Sequence, residues 1–403
     1  MIVLEKIRAF FTRETVLIVS CFAALLSCIA IPFDKEYLAY IDWHTIVLLF
    51  CLMAVVTGLR FLGIIRILGE WTISHVQSKP MLASVLVILS FFSSMFITND
   101  VALITFVPFA IVVLHKASMD AYMGSVVVLM TIAANLGSMV FPMGNPQNLY
   151  LFQISGMDIG SFVGLMAPYT ILVTVVLCIF LAVLFWRSNC GPANSFKGYS
   201  LSERSTSSQS ALYSERRSST YSFRKNVCTV LYVLLFVLSL GAVVNLVNVY
   251  LAGIIVLVAL LIADRKTLLR IDYGLLFTFI ALFVFVGNMG RIPFIHDAVS
   301  QLISTAPVFV SVLLSQVISN VPAALLLSGF TDHWSELIIG TNIGGLGTLI
   351  ASMASIISFK LVTAEGFVKR GAYLRTFTLY NGIFLMILLL SYVCFSCLGF
   401  YGL

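Results

Sequence analysis

Two short stretches carry the side chains best suited to handling ions. Thr98-Asn99-Asp100 and Ser319-Asn320-Val321-Pro322 each set a hydroxyl beside an amide inside a long apolar run. Two further stretches set asparagine beside glycine or proline. One is Asn135-Leu136-Gly137-Ser138, continuing to Gly144-Asn145-Pro146; the other is Asn342-Ile343-Gly344-Gly345-Leu346-Gly347-Thr348. Glycine and proline unwind a helix that is otherwise apolar. Oxygens beside broken helix ends suit a dehydrated small cation, because free carbonyls and side-chain oxygens converge there. The half-helix that follows each break aims N–H groups inward, which suits an anion. On this reading the residues that bind substrate and ions are Thr98, Asn99, Asp100, Asn135, Gly137, Ser138, Asn145, Ser319, Asn320, Asn342, Gly344 and Thr348.

Asp100 is the one acidic side chain expected near mid-membrane. A charge there costs about 2.5–3.5 kcal/mol on insertion scales, so it needs a function or a partner. It can bind a proton or Na⁺ as a coupling site, or cap the helix that starts at Asn99. The second stretch has Val321 in its place, which makes any coupling role asymmetric. Other polar residues have plainer explanations. Asp42 and Asp272 begin spans and read as N-caps; Arg60, Arg291 and Lys360 read as side chains snorkelling to an interface; His115 reads as a loop residue. Gly164 and Gly253 read as sites of close helix packing.

These residues need elements that hold them inside a bilayer, and the composition supplies such elements. The chain has 403 residues, 60% hydrophobic and only 10% charged. A soluble domain carries about a quarter charged residues, so lipid must solvate much of this surface. A spanning helix needs roughly 20 apolar residues, and long apolar runs such as Leu275–Val286 and Leu379–Leu390 recur throughout. The net charge of +6 sits in loops, with no basic patch of the kind that binds nucleic acid. Thr15–Phe33 reads as a retained first span, since no cleavage site follows it. The expected fold is an all-α integral membrane protein with about nine full spans and two re-entrant hairpins.

Basic clusters at Lys6/Arg8/Arg13, Arg66/Lys79, His115/Lys116, Arg187–Lys225, Arg265/Lys266/Arg270 and Lys369/Arg370/Arg375 are all expected in the cytoplasm. Met81–Leu114 then starts and ends on the cytoplasmic side with Asn99 at its tip, whereas Gln301–Phe330 enters from outside with Asn320 within it. The second half is therefore upside down relative to the first. The halves also match in sequence, in the same order: Ile41-Asp42-Trp43 with Ile271-Asp272-Tyr273, Phe96–Ala102 with Val317–Ala323, and Ala134–Ser138 with Thr341–Gly345. This gives a first inverted repeat at 1–187, a polar, Ser-rich cytoplasmic linker at 188–226 and a second inverted repeat at 227–403. The linker cannot bury enough apolar surface to fold alone.

At these motifs the chain resembles the ion transporter superfamily, in the branch of bacterial citrate-transporter-like permeases that includes arsenite permeases and sodium/proton antiporters. Thr98–Leu103, Gly144-Asn145-Pro146-Gln147-Asn148, Ser319–Pro322 and Asn342–Gly345 carry the resemblance, and Ile41-Asp42-Trp43-His44 resembles uncharacterised inner-membrane members. The resemblance implies a homodimer in the bacterial inner (plasma) membrane, with a scaffold and an elevator-like transport subdomain in each protomer. It also implies Na⁺ sites at Thr98, Asn99 and Gly137 and at Ser319, Asn320 and Gly344. Dicarboxylate carriers of the superfamily have Ser-Asn-Thr at both tips; Thr-Asn-Asp and Ser-Asn-Val here speak against a dicarboxylate and leave Na⁺ and H⁺ both open.

The expected function is secondary-active transport of a small anion or oxyanion, coupled to H⁺ or Na⁺ and with no other cofactor. A sodium/proton antiporter and a passive ion channel are the alternatives. No H-E-x-x-H, phosphate loop or G-x-S-x-G motif supports an enzyme. The eight cysteines are scattered, mostly inside apolar segments, so no structural disulfide and no cysteine redox or zinc site is expected.

Overall fold

The computed structural model describes residues 14–74, 76, 78–186, 218–364 and 366–399, and the regular elements among them are all helical. In the first half α1 (Thr15–Ala30), one-turn α2 (Tyr37–Tyr40), α3 (Trp43–Phe61) and α4 (Ile64–Ser74) precede a hairpin of α5 (Lys79–Phe96) and α6 (Asn99–Lys116). Next come α7 (Asp120–Gly137), a 3₁₀ turn at Pro142–Gly144, α8 (Pro146–Ser155) and the long α9 (Ile159–Trp186). The second half opens with α10 (Ser218–Val243), α11 (Val249–Ala263), one-turn α12 (Arg265–Leu268), α13 (Tyr273–Gly290) and α14 (Pro293–Thr305). Its hairpin is α15 (Pro307–Ile318) and α16 (Asn320–Ser328), followed by α17 (Trp334–Ile343), α18 (Met353–Ala364) and α19 (Arg370–Cys397).

Among the described residues, seven helices are long and apolar enough to cross a bilayer, or eight if α14 and α15, bent by 113°, form one span. In α9, Phe162, Met166, Tyr169, Val173, Leu177 and Leu181 are buried while Ile171, Val175, Ile179 and Val183 on the opposite face are exposed. A helix apolar on both its packed and its open face has lipid for solvent. The protein is thus an all-α, multi-pass membrane protein.

Local chemistry sets the boundaries. Asp42 accepts a hydrogen bond from the Thr45 amide at 3.1 Å and starts α3; Asp272 accepts one from Leu275 at 3.2 Å and starts α13. Both are N-caps, as expected. In each case the preceding carbonyl, Ile41 or Ile271, accepts from the next residue but one at 3.0 Å, so the two halves repeat this entry bond for bond.

The halves interlock. Buried Asn288 of α13 donates to Ser27 of α1 at 2.9 Å and to Tyr37 at 3.0 Å. Reciprocally, α10 and α11 of the second half pack on α3 of the first. There Gly58 lies directly against the Tyr232 ring, whose hydroxyl donates to Thr267 at 3.0 Å and Asp264 at 3.1 Å.

Several expected boundaries move. The second hairpin starts at Pro307 rather than Gln301, because Pro307 takes the first-turn position after a sharp bend at Ala306. The first hairpin is deep: each arm has 18 residues, about 27 Å of helix, against 12 and 9 residues in the second. His115 lies in the last turn of α6, not in a loop, and contacts Asp120 at 2.8 Å. α10 begins at Ser218, inside the expected 188–226 linker; the rest of that segment, at 188–217, and the N-terminal basic cluster lie outside the described residues.

A Cβ at position 58 would overlap the Tyr232 ring. Gly58→Ala should therefore lower the apparent melting temperature of the detergent-solubilised protein, by the ~1–3 kcal/mol typical of overpacking. Gly58→Ala combined with Tyr232→Leu should be less destabilised than the sum of the single changes. Additive losses would show that α10 does not pack on α3 in this way.

Candidate functional site

The site is built from breaks. α5 gives way to α6 at Ile97-Thr98, and α15 gives way to α16 at Ser319, so Thr98 and Ser319 are the N-cap residues of the two half-helices that follow. Neither hydroxyl caps its helix. The asparagines after them do part of that work: Asn99 Oδ1 accepts from the Asp100 amide at 2.9 Å and Asn320 Oδ1 from the Val321 amide at 3.0 Å. Ser319 has φ +79° and ψ 154°, a region that L side chains rarely occupy and that concentrates at functional sites. Thr98, at φ −54°, is unstrained.

The other two breaks follow α7 and α17. Each of these helices lies close against the first arm of its own hairpin. A Cβ on Gly137 would overlap Phe91 O and stand 2.5 Å from Ser94 Oγ; one on Gly344 would stand 2.6 Å from Ser315 Oγ. Ser94 and Ser315 hold equivalent places in the two arms. Both glycines therefore let a helix end approach a hairpin, and that approach sets each unwound loop beside a tip.

The two tips meet through Asn135. Its Oδ1 accepts from Asn99 Nδ2 at 2.8 Å and from Ser352 Oγ at 3.0 Å, while its Nδ2 donates to Gly345 O in the second half at 3.4 Å. Gly345 in turn lies against the Asn320 side chain; a Cβ there would stand 3.0 Å from Asn320 Nδ2. Asn99, Asn135, Asn320 and Asn342 are all buried.

Beyond the breaks the halves exchange partners: α8 packs on α16 and α17, and α18 packs on α6 and α7. Asn342 donates to Asn148 at 2.7 Å, and Tyr150 shares a hydrogen bond with Ser328 at 2.9 Å. Thr131 of α7 donates to Ser358 of α18 at 2.8 Å.

Of the expected residues, Asn145 and Ser138 bond to each other at 2.7 Å and hold the first loop; both are buried. Thr348 is exposed and bonds to Gln316, its amide at 2.8 Å and its hydroxyl at 3.1 Å. Asn148, Gln147, Ser352 and Gln316 were not among the residues expected at the site. The run Asn145-Pro146-Gln147-Asn148 was a signal for two of them, and Gln316 stands one turn before Asn320 in an apolar helix. Nothing near Ser352 in sequence marks it.

Several buried polar atoms here lack a partner: Asp100 Oδ1, Asn342 Oδ1 and both amide atoms of Gln147. Such atoms are rare in native proteins and each costs about 1–3 kcal/mol if left unmet. Arg291, by contrast, is fully engaged away from the site. It contacts Asp34 at 2.6 Å and donates to Tyr40 at 2.9 Å, and its guanidinium holds the Asp34 carboxyl below the usual carboxylate range. Lys360 is exposed, and Arg60 stands over the Phe61 ring. A cavity of about 200 Å³ lined by Pro108, Ile111, His115 and Phe367 lies at the far end of α6 from Asp100.

Asn135→Ala leaves Asn99 Nδ2 and Gly345 O unpaired, each at ~1–3 kcal/mol, and should lower the melting temperature. In a double-mutant cycle with Asn99→Ala, the two losses should fall short of additive by roughly 0.5–3 kcal/mol. Additivity would mean that the bridge has no energetic reality.

Comparison with known proteins agrees with this architecture. The citrate transporter family profile matches residues 1–332. An uncharacterized transporter of Methanocaldococcus jannaschii is 30% identical, with 87% of this chain and 89% of that protein covered. The inner membrane protein YbiR of Escherichia coli is 29% identical over 82% of this chain and 83% of its own length. A 46 kDa membrane protein of Mycobacterium leprae is 24% identical over 81% of this chain and 80% of its own. The family match over most of the chain shows that the protein belongs to the citrate transporter family and is a membrane transporter of that type.

Proposed function

We propose that the protein is a secondary-active carrier of a small anion or oxyanion, coupled to H⁺ or Na⁺. One observation carries the reading: two half-helix N-termini, at Asn99 and Asn320, are joined through Asn135 and the Gly345 carbonyl among unwound backbone. Helix N-termini favour an anion, and loop carbonyls and asparagine oxygens favour a small cation. The unpartnered atoms of Asp100, Gln147 and Asn342 fit a site that is completed by a polar ligand.

Alternating access would come from an elevator-type motion of the hairpins and broken crossings against a scaffold. The packing supports such a division. Cys51, Val55, Leu59, Tyr232, Leu235 and Val256, from α3, α10 and α11, form an apolar core separate from the main one. The proposed assembly is a homodimer in the bacterial inner membrane, with the N-terminus and the 188–226 segment in the cytoplasm beside the basic clusters.

A sodium/proton antiporter is the second reading, and Asp100 is the observation that favours it. Its carboxylate stands in the first turn of α6 with Oδ1 buried and unpartnered, so it can exchange a proton for Na⁺ with no anion carried.

Proteoliposomes holding the purified chain separate these readings. Uptake of arsenite, sulfate or citrate should respond to an imposed pH or Na⁺ gradient, and Asp100→Asn should reduce gradient-driven uptake at least ~10-fold. Sodium/proton exchange with no anion uptake would establish the antiporter instead. Currents that need no coupled gradient would mean a passive channel.

A further inference from the structure

The two tips are related by the repeat but are not equally open to a cation, and the difference lies in one residue. Gln316 of α15 stands one turn before Asn320; the residue at the matching place in the first repeat is Met95. Gln316 Nε2 donates to Gly344 O at 3.0 Å and to Leu346 O at 2.9 Å, two carbonyls of the unwound loop after α17. Its Oε1 accepts from the Thr348 amide at 2.8 Å, and its own backbone carbonyl accepts from the Thr348 hydroxyl at 3.1 Å.

These bonds fix the orientation of the amide. The Thr348 N–H can only donate, so the atom facing it must be oxygen, and the atom facing the two carbonyls must be nitrogen. Gly347 makes this fit possible. Its φ is +106°, and a Cβ on it would run into Gln316 Oε1. The loop is thus wound around this one side chain.

Loop carbonyls that converge beside a broken helix are what a dehydrated Na⁺ would use. In the second repeat they converge on an N–H₂ group, whose hydrogens repel a cation and already satisfy the oxygens. Val321 offers no charge beside them. In the first repeat Met95 has a thioether, which has no hydrogen to donate, and Asp100 supplies a carboxylate. Val140 N reaches Gly137 O only at 3.3 Å. The donor set of the second tip does not fit a cation, and that of the first does.

We propose that Gln316 is an internal plug: its amide occupies the place of a cation in the second repeat, so each chain carries a single coupling ion, taken at the Thr98-Asn99-Asp100 tip. The proposal rests on the coupled-carrier reading for the ion at the first tip, but the closure of the second tip stands on the Gln316 bonds alone. Coupling to one ion makes the driving force of transport depend on the first power of the ion gradient.

The test counts cations on the purified full-length chain, with radioactive sodium binding and proton uptake measured side by side. Gln316→Glu keeps the oxygen that accepts from Thr348 and turns the nitrogen into a second oxygen facing Gly344 O and Leu346 O. It should add one bound sodium ion per chain relative to the wild type, beyond the one proton that any added carboxyl titrates. Gln316→Met, which copies the first repeat, should remove the plug without adding a charge and bind no more than one additional ion. Size-exclusion elution and circular dichroism check that the variants are folded.

One cation on the wild type and two on Gln316→Glu supports both the proposal and the coupled reading. None on the wild type and one on the variant supports the plug and overturns coupling at the first tip. Two on the wild type overturns the plug whatever the variants do, as does a folded Gln316→Glu chain with no added sodium ion.

Discussion

Unwound backbone cannot stand in hydrocarbon. Each N–H or C=O without a partner there costs several kcal/mol, so irregular chain at membrane depth must be buried in protein or face water. Four such interruptions stand among the described residues, and their mutual satisfaction organises the molecule around them. The two hairpin tips and the two loops after α7 and α17 collect around Asn135, whose amide accepts from one tip and donates to the loop beside the other. A single carboxamide can do this because it carries donors and acceptors on one rigid plane.

Exchange of partners between the halves follows from the same constraint. A broken crossing leaves two half-helices whose inner ends need neighbours. Each half finds them in the other: α8 on α16 and α17, α18 on α6 and α7. The result is a structure in which each half meets some of its polar groups with partners from the other. Close approach at Gly137 and Gly344 and the bond between Asn148 and Asn342 belong to this arrangement. Outside it, α3, α10 and α11 pack by apolar contact and by the fit of Gly58 against Tyr232, a simpler contact that gives a separate core.

Symmetry of backbone and asymmetry of side chains serve different ends. Glycine and asparagine recur at equivalent places because close approach and helix entry are geometric needs shared by both repeats. Asp100 against Val321, and Met95 against Gln316, break that symmetry where charge and hydrogen bonding are decided. The strained backbone at Ser319, absent at Thr98, lies on the side where the loop is wound around Gln316. Two related frames thus offer unlike electrostatic environments to whatever enters between them.

Sequence alone determined the class of the molecule and the location of its breaks. Composition required lipid as solvent, the apolar run Leu275–Val286 marked the core of α13, and Asp42 and Asp272 announced the helices they cap. The paired Asn-Gly and hydroxyl-Asn motifs marked the site because they are the residues that interrupt a membrane helix, and interruption is a local property. Only the tertiary structure decided which groups satisfy which. That Asn135 reaches Gly345, that Ser352 and Asn148 join the cluster, and that Gln316 fills one tip all depend on contacts between residues far apart in the chain. Nor did the apolar pattern place the bend at Ala306, because the run expected to begin at Gln301 continues across it.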